Sequence, residues 1–166
     1  MSRTTALVAP HRILVVADET ADSERVHATI LATVCDAGDA EVVVVAPALN
    51  GRLRHWFSDD NGARRAAECR LGTAVDSLAD AGIAATGWVG DADPLQAIDD
   101  ALCFFPADTL IIATRPEAQS HPLTHNLVDR ARDRFAGTIV HVQVDRQREP
   151  PSRVAALVRQ PRPNGP

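Results

Sequence analysis

Apolar residues in this chain fall into short unbroken runs, separated by longer stretches in which they recur at helical spacing. Ile13-Leu14-Val15-Val16-Ala17, Val42-Val43-Val44-Val45-Ala46 and Leu110-Ile111-Ile112-Ala113 are continuous, the pattern of strands buried on both faces of a parallel sheet. Strands are expected at about Arg12 to Ala17, Glu41 to Ala46, Ala84 to Val89, Thr109 to Thr114 and Thr138 to Val144. Four helical stretches lie between them. The first has Thr20 and Asp22 as candidate caps, an approximate stripe of Val26, Ile30, Ala32, Val34 and Cys35, and Gly38 as its stop. The second runs from about Ala63 to Ala81 and ends at Gly82. The third is announced by Asp93-Pro94-Leu95-Gln96, a cap, a first-turn proline and a residue able to reach back; it runs to Phe105 and halts at Pro106. The last covers about Leu123 to Phe135, and Gly137 releases the chain into the final strand.

Strands alternating with helices give βαβαβαβαβ, for which right-handed crossovers make a doubly wound parallel α/β sheet the natural solution. Ligands in such sheets bind beyond the carboxyl ends of the strands, where the strand order reverses. Asp18, Glu19 and Thr20 after the first strand, the excursion from Pro47 to Trp56 after the second, Gly90 and Asp91 after the third, and Thr114 and Arg115 after the fourth are therefore the candidate ligand residues. Residues 1–10 are expected to be a mobile lead, residues 11–145 the domain, and residues 146–166 a disordered tail rich in proline and arginine.

Composition narrows the chemistry. With 166 residues, 45% of them apolar, the chain suits a single domain. No apolar run approaches a membrane-spanning length and the amino terminus leads into no signal-peptide core, so a cytoplasmic location is expected. All 17 basic residues are arginine. Without lysine there is no Walker-type phosphate loop and no Schiff-base chemistry. The net charge is -5; the tail after Asp145 contributes +4 and the body -9. An acidic body disfavours nucleic acid as a partner. Cys35, Cys69 and Cys103 are odd in number and widely spaced, which suggests neither disulfides nor a zinc site; they are expected to be small apolar fillers.

With its segments in this order, the chain resembles the universal stress protein family over about His11 to Asp145. The residues that carry the likeness are Ile13-Leu14-Val15-Val16-Ala17-Asp18 with Ser23-Glu24-Arg25, then Gly90-Asp91-Ala92-Asp93-Pro94, and Ile111-Ile112-Ala113-Thr114-Arg115. The resemblance implies a five-stranded sheet ordered 3-2-1-4-5, of the kind shared with adenine nucleotide α-hydrolases, and a place for Asp18 beside an adenine. ATP-binding members carry G-x-x-G, nine residues, then G-[S/T] after the fourth strand. Here Ala113 and Pro116 stand at the first two positions, and His125-Asn126 or Asn126-Leu127 at the last. Glycine is needed where main-chain amides approach phosphate closely, and a proline removes a donor outright. The expected reading is a non-enzymatic stress-response domain of this type, with no cofactor and with ATP not held in the family's usual way.

The alternative is a nucleotide or small-anion sensor. Arg52, Arg54, His55 and Trp56 set two guanidinium forks, an imidazole and an indole at the ligand edge, and Arg115 is expected nearby. The bland counterpart is that Leu53, Trp56 and Phe57 pack this excursion down while the arginines face water. A small hydrolase or transferase using Asp18 or Asp91 is the third reading, and no nucleophile signature supports it. His121 and His125 are four apart, but Pro122 lies between them at the expected helix start, so they need not share a face, and His141 belongs to the final strand; no metal is expected. The final strand would lie at a sheet edge, with Ile139, Val140, His141, Val142 and Val144 as candidate pairing residues. Members of the family pair through this strand, which implies a homodimer.

Overall fold

The computed structural model describes residues 9–17, 20, 23–49, 60–115 and 126–145. Over these residues the strands are β1 (His11–Val16), β2 (Ala40–Pro47), β3 (Ala85–Gly90), β4 (Thr109–Thr114) and β5 (Thr138–Gln143). The helices are α1 (Glu24–Ala37), α2 (Asp60–Asp80), α3 (Pro94–Phe104) and α4 (Leu127–Arg132). All strand pairs are parallel, in the order β3-β2-β1-β4-β5. This is the doubly wound sheet that the alternation of strands and helices predicts.

Period-two alternation divides the central strands between two cores. Ile13, Val15, Ala17, Val42, Val44, Ala46, Ile111 and Ala113 face the layer of α1 and α2, meeting Val26, Ile30, Ala67, Ala74 and Leu78. Leu14, Val16, Val43, Val45, Leu110 and Ile112 face α3 and α4, meeting Leu95, Ile98, Ala101, Leu127 and Ala131. Because both faces are covered, β4 is buried along its whole length.

Several boundaries and burial assignments differ from the expectation. The cap of α1 is Ser23, whose hydroxyl accepts from the Arg25 amide at 3.2 Å; Thr20 is instead fully buried, its carbonyl accepting from the Ser23 amide at 3.0 Å. Only Val26 and Ile30 of the α1 stripe are buried, with Val34 partly so. These three follow a strict i, i+4 line, from which Ala32 and Cys35 diverge into solvent. Helix α2 begins three residues earlier than its apolar pattern, and β2 extends through Pro47, which needs no ladder donor at the strand's last position. Helix α4 is shorter than expected, opening at Asn126 with φ 55°; residues 123–125 lie outside the described set. The cysteines do sit on helices, but all three are exposed rather than filling the core. Small size permits burial, and the outward phase of each position decides against it.

Candidate functional site

Strand order reverses between β1 and β4, and the chain leaving those two strands defines the crevice. The register pairs Val16 with Val45 and with Ile112, so one step further Ala46, Ala17 and Ala113 lie abreast on the α1/α2 face. All three are within 3% of full burial. Of the sequence candidates, Thr20, Thr114 and Arg115 come to this reversal point. Thr20 is fully buried, Thr114 is 8% exposed and Arg115 is half-buried. The Thr114 hydroxyl lies 2.7 Å from His141 Nε2 across the β4–β5 boundary. Burial lowers the His141 pKa from its ordinary value and the Arg132 guanidinium lowers it further, against an opposing pull from Asp129.

Gly90 and Asp91 do not join this group. They close β3, an edge strand two places from β1, and both have local work. A Cβ on Gly90 would lie 2.7 Å from the Ala97 methyl and 2.9 Å from Val45 Cγ2, so the bare backbone lets α3 seat closely on the sheet. The Asp91 carboxylate accepts from the Asp93 amide at 2.8 Å, and the Asp93 carboxylate accepts from the Leu95 amide at 2.9 Å. Together they fold the approach to α3 and cap it. Asp18, Glu19, Arg52, Arg54, His55 and Trp56 lie outside the described residues, as do Pro116, His121 and His125.

Arg70, whose guanidinium lies at the carboxyl end of β2, is a residue that sequence reasoning passed over. It sits between Ala67 and Ala74 on the sheet-facing stripe of α2, and its guanidinium donates to the Pro47 carbonyl at 2.8 Å. Two features bring it there. Alanines on either side leave room beneath the helix, and helical side chains lean toward the helix amino terminus, which in an antiparallel crossover points to the carboxyl ends of the strands. The legible signal was a charged residue inside a core stripe.

A second polar group gathers at the opposite end of the sheet. His11 Nε2 lies 2.9 Å from Thr109 Oγ1, while the Asp108 carboxylate accepts from the Arg12 amide at 2.9 Å and sits 3.8 Å from His11 Nδ1. It ties the start of β1 to the start of β4. Among the described residues no group of three or more histidines, cysteines and carboxylates is arranged to hold a metal ion, and no helix is long and apolar enough to cross a membrane.

Compared by sequence, the chain matches no family model and no curated protein. Compared by structure, it superposes on a universal stress protein from Archaeoglobus fulgidus with a TM-score of 0.56 at 17% identity, over 80% of this chain and 93% of that one. The fold is that of the universal stress proteins. A family member from Arabidopsis thaliana, solved with AMP bound, gives 0.53 at 10% identity over 86% of this chain and 97% of that one. One from Burkholderia pseudomallei gives 0.52 at 16% identity over 79% and 94%. The likeness to universal stress proteins thus spans nearly the whole of each neighbour, and the 3-2-1-4-5 order agrees with what the resemblance implied.

Proposed function

We propose that this chain is a non-enzymatic regulatory domain of the universal stress protein type, acting in a stress response, that does not hold ATP in the family's usual way. The observation that carries the ATP part is the end of β4. Ala113 stands where the resemblance calls for the first loop glycine, and it is 3% exposed within the core shared with Ala17 and Val142. Pro116 then withdraws an amide where a second glycine is expected. Equilibrium dialysis of the full chain against Mg-ATP tests this. The expected result is no saturable uptake, and a complex with the triphosphate held on the segment after β4 overturns it.

A second reading, a nucleotide or small-anion sensor, is supported by Arg115 at the reversal point and by the AMP found in the Arabidopsis neighbour. Its candidate ligand residues are those named from the sequence, of which Asp18, Glu19, Arg52, Arg54, His55 and Trp56 lie outside the described residues. A hydrolase built on Asp91 has less support, since that carboxylate is engaged with the Asp93 amide.

The reading includes a homodimer through β5, an edge strand of the sheet. Its contact differs from the expected apolar strip. Val142 is 7% exposed and Val144 fully buried, so both are spent inside the subunit. Ile139 and Val140 are half-buried, and His141 is exposed except where its ring is partly buried against Thr114, leaving main-chain pairing as the chief force available to a partner. Light scattering on dilute protein is expected to give twice the chain mass; a monomer removes the dimer.

A further inference from the structure

We propose that His141 gates the pairing of β5 with a second copy of this chain: with a neutral imidazole the edge is open to a partner strand, and with an imidazolium it is closed. This rests on the reading of β5 as the homodimer edge and names how that contact is regulated.

Edge strands are commonly kept from pairing by charged side chains, proline or bulges. Strand β5, Thr138-Ile139-Val140-His141-Val142-Gln143, has no proline and no permanently charged residue, and His141 is its single titratable side chain. One proton therefore decides whether this edge is charged. The other edge strand, β3, reads Ala85-Thr86-Gly87-Trp88-Val89-Gly90 and has no titratable side chain. Proton sensitivity thus distinguishes pairing through β5 from pairing through β3.

The ring is held at the edge in either state. Register sets His141 beside Ile112, on the face covered by α4, and its Nε2 lies 2.7 Å from Thr114 Oγ1. A hydroxyl donates to a bare ring nitrogen and accepts from a protonated one, so proton uptake changes the charge without releasing the ring. Its β4 neighbours, Ile112 and Thr114, do not titrate. From α4 the charged groups acting on it are Arg132 and Asp129, and the Asp129 carboxylate accepts from Arg132 at 2.9 Å. The carboxylate that could neutralise an imidazolium is therefore already engaged by a guanidinium. Burial and Arg132 both disfavour the charged ring, against the pull of Asp129.

Identical edges pair about a two-fold axis, which sets the two strands antiparallel. With the whole of β5 paired, the two His141 positions are offset by one residue, about 3.4 Å along the strands and about 4.8 Å across them. Each copy then brings one ring into the contact, where the partner strand removes water from it. Two imidazoliums enter that contact at a desolvation and repulsion cost that two neutral rings do not have.

Sedimentation velocity of the full chain at constant ionic strength tests the gate, with far-ultraviolet circular dichroism checking the fold. Between about pH 7.5 and about pH 5, wild type is expected to pass from dimer to an association weaker by about tenfold or more. His141→Gln is expected to dimerise equally at both, and His141→Arg, charged throughout, to be weakened at both. A wild-type dimer equally tight at the two pH values overturns the gate and leaves the dimer standing, as does an acid loss just as large in His141→Gln. A wild-type monomer at the higher pH overturns the dimer and the gate together. If acid unfolds the chain or His141→Gln does not fold, His141→Arg decides at the higher pH: a weaker dimer supports the gate, and one as tight as wild type overturns it.

Discussion

Thr114 and His141 meet diagonally across β4 and β5: the register pairs Thr114 with Gln143 and Ile112 with His141, yet the hydroxyl reaches Nε2 at 2.7 Å. The contact ties the crevice end of β4 to the edge strand. It also makes that edge sensitive to protons. Burial and Arg132 lower the His141 pKa, with Asp129 pulling the other way, so the folded chain prefers the neutral ring. Stability from this residue is complete above the unfolded value of about 6.5 and is lost as pH falls through the lower folded value, because the unfolded chain takes up the proton first. His141→Gln is expected to flatten the decline of melting temperature between neutral and mildly acid pH. An equally steep decline in the variant counts against this role.

Ser23 and Asp93 are the side-chain caps of α1 and α3. Each accepts a main-chain amide that the helix leaves unsatisfied, so Ser23→Ala and Asp93→Ala are each expected to cost about 1 kcal/mol in urea unfolding. Asp93→Asn, which keeps an acceptor oxygen, is expected to lose less. Equal losses for the alanine and asparagine variants would show that the charge, and not the cap, matters.

Phe104 and Phe105 are adjacent and opposite in role. Phe104 is 83% exposed at the end of α3, whereas Phe105 is 8% exposed, belongs to the α3/α4 core and carries the Arg12 guanidinium 5.8 Å from its ring centroid. Phe105→Ala is expected to cost about 3–5 kcal/mol, and Phe104→Ser to fall within about 0.5 kcal/mol of wild type. Chemical denaturation of the two variants checks both.

The contrast between these neighbours also marks what a linear pattern conveys. The strands were legible because Ile13 to Ala17, Val42 to Ala46 and Leu110 to Ala113 are too uniformly apolar for anything but a sheet covered on both sides. The α3 entry was legible because Asp93 and Pro94 act locally. Which of Phe104 and Phe105 turns inward depends on where α3 ends and how it meets α4, as does the exposure of Cys103. Arg70 was missed because its importance comes from an antiparallel helix delivering it to Pro47, 23 positions away. His11, Asp108 and Thr109 converge only once β1 and β4 pair.

Glycines at two positions separate space from conformation. Gly87 lies in β3, and a Cβ there would stand 2.1 Å from the Val44 carbonyl oxygen and 2.8 Å from Leu71 Cδ1. Leucine can turn away, but a main-chain carbonyl of the neighbouring strand cannot yield without disturbing the ladder. Gly72 lies within α2, with nothing within 4 Å of an added Cβ. There a methyl only removes unfolded-chain freedom and improves helix propensity. Gly72→Ala is therefore expected to stabilise by about 0.5–1 kcal/mol, and Gly87→Ala to destabilise by about 1–3 kcal/mol or more. Urea unfolding midpoints shifted in opposite directions bear out the packing of α2 on β3. A Gly87→Ala variant as stable as wild type would mean that the α2 side of β3 is looser than its close contacts with Val44 and Leu71 require.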